Sequence, residues 1–357
     1  MDWRLVVETG TPSPCPLCGG DNFKSIFPDR LSILSQCRSC DLVFFRPLPT
    51  EAYLEEYYSS EEGYLPSIEE NRVQFENAPE EWRRTALHIL DDLRKHGLRE
   101  QGVPILDVGC AWGFFLHFAK QEGYEVHGLE LSSETSAWAR ERDLDVRTGH
   151  LGTTDYEPGT FHAITMNNVL EHSIDPKRDL EKVFELLVPG GLAYIAVPNW
   201  ESLVAQVDGF YWKMKSWPNH LFYFTKETLP ALMTSLGFEF LESFSQIGES
   251  DVRDDYRILR DRLKLEQDQD LEDAVAFLGQ KGKGQELVVI ARKPGNNGAE
   301  SSSPLEGSVM EDSSGSETLS DAPSPTLDED SGEGEEGASE EEGKPPLEGS
   351  GEAHSGD

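Results

Sequence analysis

The chain has 357 residues and a formal net charge of −36, from 67 Asp and Glu against 31 Lys and Arg. That balance argues against nucleic acid as a partner, because phosphate-backbone binding needs clustered Lys and Arg, although a local basic groove stays open. No stretch approaches the roughly 18 apolar residues that cross a bilayer, and MDWRLVVETG lacks the basic-then-apolar order of a secretory leader; a soluble, cytoplasmic protein is expected.

The first predicted element is built on cysteine. Cys15-Pro-Leu-Cys18 and Cys37-Arg-Ser-Cys40 are separated by eighteen residues, a spacing that suits tetrahedral zinc, since each short loop presents two thiolates to one ion. Gly19 and Gly20 permit the tight turn of the first knuckle, and Leu42–Phe45 reads as a short strand behind the second. A unit of this length has too small a core to fold alone, and a metal supplies the missing stability. With four thiolates no position stays open for a catalytic water, so the Zn²⁺ expected on Cys15, Cys18, Cys37 and Cys40 is structural. Residues 1–47 form this ribbon, and 48–85 a helical connector.

From residue 86 to 295 helix-like and strand-like segments alternate. A helix is predicted over 84–97 and a strand over Pro104–Val108, then helix 113–123, strand 125–131, helix 133–142, strand 145–148 and strand 161–166. Helix 176–187 is ended by Pro189-Gly190-Gly191, with strand 192–197 after it. Alternation at this spacing means an α/β fold, a parallel sheet covered by helices on both faces. Ligands of such sheets bind beyond the C-terminal ends of the strands, where Asp107-Val-Gly109-Cys-Ala111-Trp-Gly113 lies.

A dinucleotide turn wants Gly-x-Gly-x-x-Gly so that a pyrophosphate can approach the backbone. Ala111 and Phe114 replace its second and third glycines here. Asp-x-Gly-x-Gly-x-Gly, the turn of S-adenosylmethionine enzymes, is met at Asp107, Gly109 and Gly113, with Ala111 the one departure. Glu130, at the end of the next strand, is placed to accept bonds from ribose hydroxyls of an adenosine ligand, a role common to both cofactor types. Cys110 has no cysteine neighbour in sequence and reads as a small filler of the turn.

ILDVGCAWG, HGLELS, NNVLEHSIDP and LLVPGGLAYIAVPN, in this order, resemble the class I S-adenosylmethionine-dependent methyltransferases, and among them the branch of the ubiquinone-biosynthesis O-methyltransferases. NHLFYFTKETLPALMTSLGF is similar to the same branch. The four-cysteine ribbon in front is similar to bacterial methyltransferases of sugar and cell-surface polysaccharide modification. The resemblance spans roughly 12–293 and implies a Rossmann-like sheet. It implies that Asp107, Gly109 and Gly113 frame the methionine part of the cofactor, that Glu130 holds the ribose, and that His150 and Leu151 flank the adenine. Asn167 would lie by the sulfonium. Relatives carry Glu-x-x-Glu-His at a metal site, where this chain has Asn168, Glu171 and His172. One charged oxygen ligand is lost, so a complete site for a hard cation such as Mg²⁺ is not expected.

Methyl transfer to a hydroxyl needs alignment, exclusion of water and removal of a proton. His172 and His220 are the candidate bases, His220 within the aromatic segment GFYWKMKSWPNHLFYF, which suits a lid or acceptor wall. The leading expectation is an O-methyltransferase for a small-molecule or sugar-like acceptor. A nucleic-acid methyltransferase with the ribbon as reader, a non-catalytic binding protein and a nicotinamide oxidoreductase are the alternatives, the last weakest. Residues 296–357 close the chain. From 299 onward it holds eighteen Asp or Glu, one Lys and no aromatic residue, a composition that stays disordered because it cannot bury enough apolar surface.

Overall fold

The computed structural model describes residues 10, 14–28, 32–59, 65–246 and 279–295. The expectation for 296–357 lies outside the described residues.

The cysteine segment forms β1 (Phe23–Pro28), β2 (Ile33–Cys37) and β3 (Val43–Arg46), an antiparallel sheet. Helices α1 (Glu51–Ser59), α2 (Leu65–Asn77) and α3 (Pro79–Lys95) follow. Pro79 opens α3 with Glu80 and Glu81 in its first turn and Arg94 and Lys95 in its last, charges that oppose the helix dipole. Helix α3 therefore starts earlier than 84, and the division expected between 85 and 86 falls inside it.

The alternating region gives β4 (Pro104–Val108), α4 (Phe114–Gln121), β5 (Glu125–Glu130), α5 (Ser133–Arg140), β6 (Asp145–Thr148), β7 (Phe161–Asn167), α6 (Pro176–Leu186) and β8 (Leu187–Pro198). Then come α7 (Leu203–Asp208), β9 (Phe222–Tyr223), α8 (Thr228–Ser235), β10 (Glu239–Gln246) and β11 (Glu286–Arg292). A seven-stranded sheet runs β10-β11-β8-β7-β4-β5-β6. Strands β4 to β8 are parallel, and β11 is antiparallel to both its neighbours.

Side-chain alternation splits this sheet between two cores. Leu106, Val108, Ile164, Met166, Ala193 and Ile195 face α6 and α8 through Leu180, Val183, Leu229 and Leu232. Ile105, Ala163, Leu192, Tyr194 and Ala196 face α3 and α4 through Ile89, Leu90, Leu93, Leu116 and Phe118. The fold is thus α/β, a Rossmann-like sheet with helices on both faces. The first core also contains Cys15, Cys37, Leu42 and Phe44 of the cysteine unit; that unit shares its hydrophobic interior with the sheet.

Two features depart from expectation. Pro189-Gly190-Gly191 does not separate α6 from a strand but lies within β8. Strand β11 holds it there, because Gly190 N–H donates to the Lys293 carbonyl (2.8 Å) and Lys293 N–H to that of Gly191 (2.9 Å). The pair β10–β11 was not anticipated, since β11 inserts beside β8 from a segment far along the chain. Among the described residues no helix is long and apolar enough to cross a membrane.

Candidate active site

The turn after β4 is a left-handed succession. Gly109, Ala111 and Gly113 have φ of +68°, +46° and +78°, a region costly for residues with a Cβ. At Gly109 and Gly113 space is also decisive: an added Cβ would stand 2.4 Å from Val169 Cγ2 and 2.7 Å from Leu144 Cδ1, respectively. Ala111 adopts the strained conformation with its methyl in place. Cys110 is buried against Gly128, whose added Cβ would meet its Sγ at 2.7 Å. Burial pushes that thiol well above its ordinary value, so it is an inert filler.

Two acids stand beside the turn. Asp107, 5% exposed, accepts a 2.6 Å bond from the Thr165 hydroxyl. Burial pushes its carboxyl up to about 7, with the Glu130 charge adding to the rise and the Thr165 bond opposing it. Glu130 accepts the Ala111 N–H on Oε2 and the Ser132 N–H on Oε1, both at 2.9 Å. The Leu131 amide and the Thr135 hydroxyl bond this carboxylate as well, and burial raises it above the ordinary range despite them. Sequence reasoning missed how the turn is roofed. The Trp112 indole donates to the Ile68 carbonyl (3.0 Å), and Phe75 stacks on Phe114 with centroids 4.2 Å apart. Both contacts lay α2 over the turn.

A cavity of about 1100 Å³ opens here. Asp107, Gly109, Ala111, Glu130, His150, Leu151 and Asn167 line it, and so do Tyr58, His172, Asn219 and His220. Its size slightly exceeds the usual range for one drug-sized ligand, which leaves room for a cofactor and a small acceptor together. Of the glycines, Gly113 is held back from this lining. His150 caps the short 3₁₀ turn Leu151–Thr153, its Nδ1 accepting the Gly152 N–H at 3.1 Å.

The two histidines meet in the same cavity. His172 Nδ1 lies 2.8 Å from the Asn219 carbonyl, and His220 Nδ1 lies 2.7 Å from that of Met214. A carbonyl can only accept, so each Nδ1 carries the proton and each Nε2 keeps its lone pair. The rings stand 4.7 Å apart, nearly perpendicular. Burial lowers His172 to about 4 and His220 to about 3, the latter also through its neighbour His172; both are neutral at pH 7. Glu171 is fully buried, and neither of its oxygens has a hydrogen-bond partner. Burial pushes its carboxyl well above the ordinary range. Glu171 and His172 sit in the 3₁₀ turn Leu170–His172.

Glu171, His172 and His220 bring one carboxylate and two imidazole atoms within 4.8 Å of one another. The third group comes from a distant segment, which the spacing around Asn168 could not reveal. Asn168 itself points elsewhere, donating to Glu286 at 2.9 Å. Two nitrogens and one oxygen suit a borderline cation better than Mg²⁺.

The four cysteines also converge, their sulfurs within 4.8 Å of one another. Cys15 and Cys40 stand 3.4 Å apart and Cys18 and Cys37 3.5 Å, close to the roughly 3.8 Å between thiolates on tetrahedral zinc. Each knuckle closes on itself, Gly19 N–H to the Cys15 carbonyl (2.8 Å) and Asp41 N–H to that of Cys37 (2.9 Å). Burial pushes Cys15 up to about 11, with the Cys37 charge adding to the rise. Four converging cysteine sulfurs are a donor set that fits Zn²⁺.

The model of a methyltransferase domain family matches residues 75–243. Among curated proteins the chain is 29% identical over 147 residues to the ubiquinone biosynthesis O-methyltransferase of Cronobacter sakazakii, covering 36% of this chain and 60% of that protein. It is 26% identical over 156 residues to the enzyme of the same name from Pectobacterium carotovorum, covering 39% and 65%. The chain thus spans less than two thirds of the length of these relatives. Among solved structures, phosphoethanolamine N-methyltransferase 2 of Haemonchus contortus aligns with a TM-score of 0.44 and 19% identity, over 59% of this chain and 52% of that one. The domain match, the curated relatives and the glycine turn at the head of a seven-stranded sheet together support a class I S-adenosylmethionine-dependent methyltransferase.

Proposed function

We propose that the chain transfers a methyl group from S-adenosylmethionine to an oxygen of a small-molecule or sugar-like acceptor. The observation that carries this reading is the single cavity joining the Asp107–Gly113 turn and Glu130 to the facing imidazoles of His172 and His220. The resemblance to O-methyltransferases of ubiquinone biosynthesis supports oxygen as the acceptor atom.

Asp107, Gly109 and Asn167 would hold the amino-acid end of the cofactor, with Gly113 shaping the turn from behind the lining, and the Glu130 carboxylate its ribose. Leu151 offers an apolar face to the adenine, while His150 already spends its Nδ1 on the Gly152 amide. The bound cofactor supplies an activated methyl on a sulfonium. The protein's remaining work is to align the acceptor, exclude water and take a proton. His220, and His172 beside it, would accept that proton on Nε2. Their lowered basicity is no obstacle, because an oxygen that is gaining a methyl group becomes strongly acidic.

S-adenosylmethionine should raise the melting temperature or quench tryptophan fluorescence, with Trp112 in the turn as reporter, whereas NAD should do neither. The reverse pattern would overturn the assignment. Transfer of labelled methyl should reach phenols or sugars and leave RNA unlabelled.

A further inference from the structure

We propose that the four-cysteine unit is a working part of the acceptor site: its β3 edge holds the segment that carries His220, so metal occupancy of the four thiolates sets where that imidazole points. The path can be followed residue by residue. Cys37 ends β2, and its N–H donates to the Leu42 carbonyl at 2.9 Å, which closes the knuckle onto the start of β3. Strand β3 then pairs with β9, Val43 opposite Tyr223 and Phe44 opposite Phe222. Phe45 N–H donates to the Leu221 carbonyl at 3.0 Å, one residue from His220. Phe44 stacks on Phe222 with centroids 5.3 Å apart, and Phe45 packs on Trp217 at 5.1 Å.

Strand β9 is only two residues long, and in its sheet β3 is its one neighbour. The residues just before it reach the turn that carries the remaining base. Leu221 N–H donates to the Glu171 carbonyl (2.7 Å), and the Asn219 carbonyl takes the His172 proton (2.8 Å). Loosening β3 therefore frees the His220 segment and, through Asn219, the tautomeric anchor of His172. The unit borrows its interior from the sheet and has little core of its own, so losing its ion should loosen this edge. The unit is a positioning element, and it depends on the reading above only for what His220 does.

Hydrogen exchange of the full chain, zinc-loaded and chelator-treated, tests this, with the imidazole nitrogen NMR signals of His220 as a second readout. On zinc removal the amides of 221–223 should exchange about tenfold faster or more, and the His220 signals should shift, while 105–116 keep their protection. Cys18→Ser, at an exposed thiol, should do the same. Should these proteins unfold, Phe44→Leu, which removes the stacking and spares the thiolates, should still accelerate 221–223 with zinc retained. Acceleration confined to residues 14–46, with unmoved His220 signals, would overturn the proposal, as would a folded protein that holds no zinc. Failure of S-adenosylmethionine to bind the zinc-loaded chain would count against the methyl-transfer reading and leave the exchange result to decide this one.

Discussion

The two sides of the cavity, proposed for cofactor and for acceptor, are built in opposite ways. Asp107, Gly109, Ala111 and Gly113 lie within seven consecutive residues, and Glu130 is delivered by the adjacent strand β5. The acceptor side takes His172 from the turn after β7, His220 from the segment before β9 and Tyr58 from α1, and β3 of the cysteine unit braces them. A contiguous turn on parallel strands is rigid by construction. A site assembled from three distant segments is only as ordered as its brace. Substitutions on the two sides should accordingly separate binding from turnover.

The largest effect is expected at His220. His220→Asn removes the proton acceptor and should lower methyl transfer by about 10²- to 10⁴-fold, with S-adenosylmethionine affinity, read by calorimetry, unchanged. If affinity falls together with rate, the two sides are not separable. On the cofactor side Gly109→Val should do the converse. Its Cβ would stand 2.4 Å from Val169 Cγ2 at a φ of +68°, and a forced side chain there should weaken cofactor binding by about 100-fold or more. A variant that binds normally would show that Val169 yields easily.

The contrast also explains how much could be read from sequence. Asp107, Gly109, Gly113 and Glu130 were legible because the chemistry of the turn is local: positive φ, close approach and a strand-end acid are written in neighbouring letters. The strands of the parallel sheet followed from periodicity for the same reason. His172 and His220 could be named singly, yet their 4.7 Å approach could not, because it depends on β3 pairing with β9. Glu171 as a third partner, the insertion of β11 between β10 and β8, and the tie from Trp112 to Ile68 are likewise long-range. Cys15, Cys18, Cys37 and Cys40 announced their cluster through spacing. Their spacing held no sign that the cluster braces the acceptor wall.

Asp107 gives the cofactor side a pH signature. Its carboxyl is raised to about 7, with Thr165, Glu130 and Cys110 around it. Between about 4 and 7 the unfolded chain has released this proton while the folded one retains it, so this group's contribution to stability falls as pH rises through that window. A cationic ligand favours the ionised form. Affinity for S-adenosylmethionine should therefore rise several-fold, up to about tenfold, from pH 6 to 8, and Asp107→Asn should flatten the slope. A pH-independent affinity in the parent protein would remove Asp107 from contact with the cofactor's charge.

The smallest effect is expected at Ala111, where the turn departs from its glycine pattern. Its φ of +46° costs a residue with a Cβ about 1–2 kcal/mol, which Ala111→Gly would relieve. Against that stand about 0.5–1 kcal/mol of extra chain entropy and the contact its methyl makes with the Trp112 and Phe114 cluster. The balance should fall within a few tenths of a kcal/mol, so the melting temperature should move by about 1 °C or less. The Ala111 N–H to Glu130 is a backbone bond and survives the exchange, so cofactor affinity should stay within about threefold. A melting temperature lowered by several degrees would mean that the methyl is a packing element of the roof formed by α2, and that the alanine is there for what it touches.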